Sequence, residues 1–300
     1  MTLQELRYLV ALADHGHFGK AANACFISQS TLSIQVKKLE EHLGVSLFDR
    51  SLSPIAPTTM GEEVLHSARL ILAEAAHIEE LTRHAHEPMA RTLRLGIIPT
   101  LGPYYLPHAL SVASAAFPQL RLLLREQMTP QILADLASGQ LDAALLALPV
   151  NDERLEVLPL FDEPFLAALP AQHKLAARKQ VTLAELSNDT LLLLEEGHCL
   201  RDQALAVCGT QRQMEEVRAT SLETLRQMVG IGIGITLLPA LATHSNSEQA
   251  NLKIIPFKSP APYRRIALVW RKRAPLLETY TRLGTSLCDH LPDKVYAIPR

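Results

Sequence analysis

From residue 93 onward, short apolar runs alternate with helical patterns, and no other feature restricts the fold of this chain so tightly. Residues 93–98 read as a buried strand, 104–117 as a helix and 120–125 as a strand. Residues 129–138 then read as a helix and 143–148 as a second apolar strand. A β-α-β-α-β order predicts a parallel sheet, because each crossover helix returns the chain to the same edge. Ligands of such sheets gather at the carboxyl ends of the strands. Thr100, just past the first strand, and Thr129, opening a helix, fall at that edge. The pattern changes near Pro164, and a second α/β unit runs to about Arg264. Residues 266–270 add a strand, and a final helix carries Leu276, Tyr280, Leu283 and Leu287. The expected arrangement is two α/β lobes with a cleft between them, lobe I from 89–162 and 266–300 and lobe II from 163–265. With 300 residues, 48% of them hydrophobic, the chain can bury more than one core.

The first sixty residues differ in kind. Leu3, Leu6, Leu9, Val10 and Ala13 recur at helical spacing, and His15-Gly16-His17 ends that run. A second short helix spans 18–24, where Ala21 and Ala22 permit close contact. Ser28 can cap a third helix whose inner face is Leu32, Val36, Leu39 and Leu43, and Gly44 stops it. Residues 47–50 and 55–59, with Pro54 and Pro57, suggest two short strands and a turn, a wing. Gln29, Ser30, Ser33, Lys37 and Lys38 point away from the core. Such a face suits the major groove: Gln can bond an adenine edge bidentately, Ser donates or accepts, and Lys neutralises phosphate. A helical bundle with a solvated polar face fits the pattern equally well. Net charge is -2, and five basic residues before position 61 match five acidic ones. A DNA-binding reading therefore rests on local arrangement, not on bulk charge.

Residues 61–87 form one long helical pattern. Val64, Ala68, Ile71, Ala75, Ile78 and Thr82 alternate steps of four and three, the period of a coiled-coil seam. A lone amphipathic helix packed on its own domain is the alternative. Pro88 ends the pattern.

Cysteines 25, 199, 208 and 288 are too few for a disulfide scaffold. The N-terminal residues lack the features of a signal peptide, and no apolar run reaches the ~18 residues of a membrane span. The expectation is a soluble cytoplasmic protein whose thiols stay reduced at rest. Cys199 lies between His198 and Arg201, whereas Cys208 ends an apolar run. Arg201, a protonated His198 and a helix opening near Leu200 would each favour a Cys199 thiolate. Over nine helical residues the chain rises about 13.5 Å and turns about 900°, which puts the two side chains on opposite faces. A disulfide needs Cα atoms within ~7 Å, so it would require the helix to unwind. Two ordinary thiols packed as small hydrophobes are the alternative, and that reading is preferred for Cys25 and Cys288. The glycines at 230, 232 and 234 lack dinucleotide-loop spacing and suggest a turn. His15/His17 and His84/His86 are lone pairs without further ligands. Neither a metal site nor a cofactor is expected.

Phe18, Ala21-Ala22, Ser28-Gln29, Ser33, Val36, Leu39-Glu40, Leu43-Gly44, Leu47-Phe48, Arg50, Thr58 and Gly61 stand at spacings that resemble the LysR-type transcriptional regulators. The resemblance extends along the whole chain. Gly197 to Ala204, Cys208, Arg218 to Leu225 and Gly234 to Pro239 are similar to the family's peroxide-sensing members. The resemblance implies a winged helix-turn-helix at 1–60 and a dimerising linker helix at 61–88. It also implies a periplasmic-binding-protein-like redox-sensing domain at 89–300. Ser28, Gln29, Ser30, Thr31, Ser33, Lys37, Lys38 and Arg50 are the implied DNA contacts. Cys199 is the implied peroxidatic thiol and Cys208 the resolving one, with Thr100, Thr129, His198 and Arg201 around them. A homodimer or homotetramer on double-stranded promoter DNA would work with RNA polymerase. Hydrogen peroxide would be its signal, antioxidant genes its targets, and neither a membrane nor an enzymatic reaction would be involved. Two other functions compete: a metabolite sensor using the inter-lobe cleft, and a thiol peroxidase using the cysteine pair. A peroxidase has no use for a DNA-reading helix.

Overall fold

A computed structural model of the chain describes residues 1–51, 54–83, 92–208, 213–243, 251–274 and 276–298. The chain divides into two compact units, one centred on residues 1–86 and the other on residues from 87 onward.

In the first unit, α1 (Leu3–His15) opens on a capping box, in which Thr2 and Glu5 satisfy each other's backbone N–H groups. The short helix α2 (Phe18–Ala24) and α3 (Gln29–Leu43) follow. The Ser28 hydroxyl accepts the N–H of Thr31, so α3 starts where the sequence places its cap. Strands β1 (Phe48–Asp49) and β2 (Ala56–Pro57) pair antiparallel as the wing, and α4 (Thr59–Arg83) leaves it. Leu6, Leu9, Leu12, Leu32, Val36, Leu39, Leu47 and Phe48 pack with Leu65 and Ala68 of α4. Leu43, expected on that inner face, is 37% exposed, because it is the last helical residue before the Gly44 cap. Glu40 fastens the wing to α3. Its Oε1 accepts Leu47 N–H at 2.8 Å and its Oε2 accepts Arg50 at 2.6 Å. Gly61 lets α4 cross the wing's base, since a Cβ there would lie 2.0 Å from the Leu47 carbonyl oxygen.

The apolar stripe of α4 is shared between two environments. Val64 and Ala68 pack into the first unit's core, while Ile71 and Ile78 are 42% and 60% exposed. The first turns of the stripe thus join the first unit's own core, while Ile71 and Ile78 stay exposed. The Thr82 side chain, His84, His86 and Pro88 lie outside the described residues.

The second unit begins with β3 (Thr92–Ile97), α5 (Gly102–Ala116), β4 (Arg121–Glu126), α6 (Thr129–Ala137) and β5 (Ala143–Ala147). β3 lies between β4 and β5 and runs parallel to both, as the alternation predicts. Next comes the sixteen-residue strand β6 (Leu155–Pro170), which runs through the position where the sequence pattern changes. After it come β7 (Leu191–Leu194), α7 (Cys199–Cys208), β8 (Gln213–Ala219), α8 (Leu222–Gly230) and β9 (Thr236–Pro239). A 3-10 turn at Ala240–Thr243 leads to β10 (Leu252–Pro256), β11 (Tyr263–Arg271), α9 (Leu277–Asp289) and β12 (Tyr296–Ala297). The glycines at 230, 232 and 234 form the turn between α8 and β9.

β6 changes partners along its length. Leu155 to Pro164 pairs with β11, and Phe165 onward pairs with β9 and β10. Pro164 has no N–H to donate, and it sits at the changeover, where the loss costs least. Two cores result. One surrounds the parallel strands, β11 and α9; the other gathers Phe165, Leu191 to Leu194, Leu225, Leu237 and Leu238. Tyr104 packs against both.

Candidate functional site

Cys199 is the first residue of α7 and Cys208 the last. The two residues stand nine helical positions apart, which separates their Cα atoms by about 13.5 Å, roughly twice the disulfide limit. The thiols also face different surroundings. Cys199 packs against the core of the parallel strands, whereas Cys208 packs against the other core with Leu205 and Val207. Leu200 and Ala204 are the buried residues that anchor the helix between them.

Burial pushes the Cys199 thiol above its ordinary pKa. Three groups pull the other way: the Arg264 guanidinium, the Thr129 hydroxyl and the backbone N–H of Leu200. Thr129 Oγ1 is buried and favours the thiolate, yet it makes no hydrogen bond of ordinary geometry among the described residues. Burial also raises Cys208, to about 11.

A cation distant in sequence, Arg264, favours the Cys199 thiolate. Arg201 extends toward Glu196, with Nη2 4.0 Å from Oε1, and Arg218 shares that carboxylate at 3.4 Å. His198 is 4% exposed, and burial lowers its pKa against the pull of Glu195 and the Thr220 backbone. It is neutral near neutral pH, so it supplies no charge to the thiolate. Its Nε2 is buried without a partner among the described residues. Arg264 is a residue that sequence reasoning missed. It lies 65 residues downstream of the cysteine, on β11, and no local motif marks it. It is fully buried, ion-pairs with Glu163 at 2.8 Å and donates to Thr100 Oγ1 at 2.9 Å. Arg264 is thus bonded to Thr100 and, with Thr129, favours the Cys199 thiolate, while Arg201 lies 4.0 Å from Glu196. Gly197, at φ +95°, positions the stretch; a Cβ there would lie 2.7 Å from Met128 Sδ. The Gln203 amide donates to the Leu148 carbonyl at 3.2 Å, a further tie between α7 and the parallel-strand core.

In the first unit, Gln29, Ser30, Thr31, Lys37 and Lys38 are exposed along α3, and Ser33 is half-buried. The Ser28 hydroxyl is occupied by the cap and by Ser30 and Thr31. Arg50 is held by Glu40 and lies 5.5 Å from the Phe18 ring centroid, so it braces the wing in this conformation. Among the described residues, no group of His, Cys, Asp and Glu is arranged to hold a metal ion. Among them, too, no helix is long and apolar enough to cross a membrane.

Residues 3–62 match the bacterial regulatory helix-turn-helix proteins of the lysR family, and residues 86–291 match the LysR substrate binding domain. The hydrogen peroxide-inducible genes activator of Dickeya chrysanthemi is 44% identical over 293 residues, covering 97% of this chain and 96% of that protein. Full-length OxyR of Pseudomonas aeruginosa carrying C199D superposes with a TM-score of 0.78 at 39% identity, over 96% of this chain and 94% of that one. Crystal structures of the reduced and oxidised forms of OxyR give TM-scores of 0.64 and 0.63 at 44% and 45% identity. They cover 69% and 68% of this chain, and 98% and 97% of those. The chain therefore belongs to the LysR family of DNA-binding regulators, in the group whose members are named hydrogen peroxide-inducible genes activators.

Proposed function

We propose that this chain is a transcription activator that senses hydrogen peroxide through Cys199 and resolves the product with Cys208. The observation that carries this reading is the placement of the two thiols at opposite ends of α7, against different cores. In the first step the Cys199 thiolate attacks one peroxide oxygen. An S–O bond forms, the O–O bond breaks, and the departing hydroxide takes a proton and leaves as water. Arg264 favours the thiolate, and the hydroxyls of Thr100 and Thr129 lie where peroxide would be oriented. In the second step the Cys208 sulfur attacks the sulfenic acid, an S–S bond forms and a second water leaves. Cysteine is oxidised by two electrons and peroxide is reduced by two. Because α7 holds the sulfurs apart, the bond can close only after the helix unwinds.

The exposed face of α3, with Gln29, Ser30, Thr31, Lys37 and Lys38, is the proposed reader of double-stranded promoter DNA, within a unit of residues 1–60. The linker at 61–88, which holds most of α4, is proposed as the dimer seam of a homodimer or homotetramer. The remaining residues form the redox-sensing domain. Recruitment of RNA polymerase, a cytoplasmic location and a regulatory rather than enzymatic role complete the proposal. The test is a footprint on promoter DNA with reduced protein, peroxide-treated protein and the Cys199→Ser variant. The footprint is expected to change with peroxide in the parent and to stay fixed in the variant. The same footprint in all three samples would overturn the reading.

A further inference from the structure

α3 buries Leu32, Val36 and Leu39, and its remaining apolar residue before the terminal Leu43, Ile34, is 55% exposed. Ile34 stands two residues from Leu32 and two from Val36, about 160° round the helix from each. Its side chain therefore leaves the helix opposite the core stripe. Ser30 precedes it by one turn, Lys37 and Lys38 follow it by one turn, and all three are exposed. Ile34 is thus the apolar centre of the face proposed to read DNA. Burial in this chain does not account for it there, and a β-branched residue forms helix less well than the alanine or lysine that such a position accepts.

Charge on this unit is largely balanced within it. Five basic residues before position 61 match five acidic ones, Arg50 is bound to Glu40 at 2.6 Å, and Lys37 lies 3.7 Å from Glu41. Phosphate contacts give affinity, but they carry no sequence information directly. Among the base edges of the major groove, the apolar group is the C5 methyl of thymine. An isoleucine over that methyl takes both out of water. Over the polar edge of a G·C pair it would strip water from donors and acceptors and return no hydrogen bond.

We propose that Ile34 is a specificity-determining residue of this regulator: it packs against thymine methyl groups in the major groove and so selects A·T pairs beneath the second turn of α3. The proposal rests on reading α3 as the DNA-contacting helix. Gln29 and Ser30, in the first turn, offer hydrogen bonds; Ile34 adds an apolar contact that their chemistry does not supply.

The test uses the reduced full-length protein. The duplex it binds best is first selected from a randomised pool, then remade with deoxyuridine in place of thymidine, one position at a time. Uracil pairs as thymine does and lacks only the methyl group. Fluorescence anisotropy titrations are expected to show binding weakened about fourfold at one or more of these positions, the effect of burying one methyl. Ile34→Ala is expected to bind the thymine duplex about as weakly as the parent binds the uracil duplex, and to lose nothing further on uracil replacement. Its slope of log K against log salt should match the parent's, because no phosphate contact is removed. Alanine suits an exposed helical position, so the variant folds, with far-ultraviolet circular dichroism as the check. If Ile34→Ala binds too weakly to titrate, Ile34→Val carries the test, and its uracil penalty must be smaller than the parent's. The proposal is overturned if no thymine methyl matters to the parent, if the uracil penalty persists undiminished in the variant, or if the salt slope changes. A pool from which no sequence is enriched would instead refute the DNA-contacting reading of α3, and the proposal with it.

Discussion

Gly197 fixes the approach of the chain to Cys199. Its φ of +95° lies where a side chain is strained, and a Cβ would press on Met128 Sδ at 2.7 Å. Gly197→Ala is expected to destabilise the fold by about 1–3 kcal/mol. It should also alter the alkylation rate of Cys199, because His198 and Cys199 follow directly. Thermal unfolding and iodoacetamide labelling measure the two effects, and a variant unchanged in both would show that the backbone accommodates the methyl group. Cys199 stands out at this scale because its flanking residues form a recognisable string. Its charge environment does not. Arg201 is two residues from Cys199 in the chain yet lies beside Glu196, whereas Arg264, on a distant strand, favours the Cys199 thiolate. Proximity in sequence says nothing about which face of a helix start a side chain takes.

At the scale of the element, α7 is lightly anchored. Burial of Leu200 and Ala204 contributes about 2–4 kcal/mol, which is the size of a typical disulfide's contribution. Two such terms are close enough for redox chemistry to choose between them. The Cys208 thiol carries a pH signature of the packed helix. Burial raises its pKa from 9.0 to about 11, so the fold favours the protonated thiol. That contribution to stability is complete below about pH 9 and is lost as pH rises toward 11. The reduced parent is therefore expected to lose stability over that interval more steeply than Cys208→Ser, by denaturant unfolding at fixed pH values. Equal slopes would mean that Cys208 is solvated. The helix itself was legible from its sequence. β6 was less so, because a change of apolar pattern at Pro164 looks like a boundary when read along the chain. In space it is a change of pairing partner within one strand.

At the scale of the molecule, α4 carries apolar side chains that are exposed among the described residues. Ile71 is 42% exposed and points away from the first unit's core. Ile71→Glu is expected to weaken self-association in sedimentation while leaving helical content by circular dichroism unchanged. Unaltered sedimentation would exclude this turn from the seam. The helices of the first unit, the parallel pairing of β3 with β4 and β5, and the α7 helix with its two thiols are written in the amino-acid sequence alone. Periodicity, caps and local strings encode all of these within a few residues. Only the tertiary structure decided which charge meets the thiol, which core each cysteine joins and how one strand serves both cores. Those depend on contacts between residues as far apart as Thr100 and Arg264, and no local pattern records a distance across a fold.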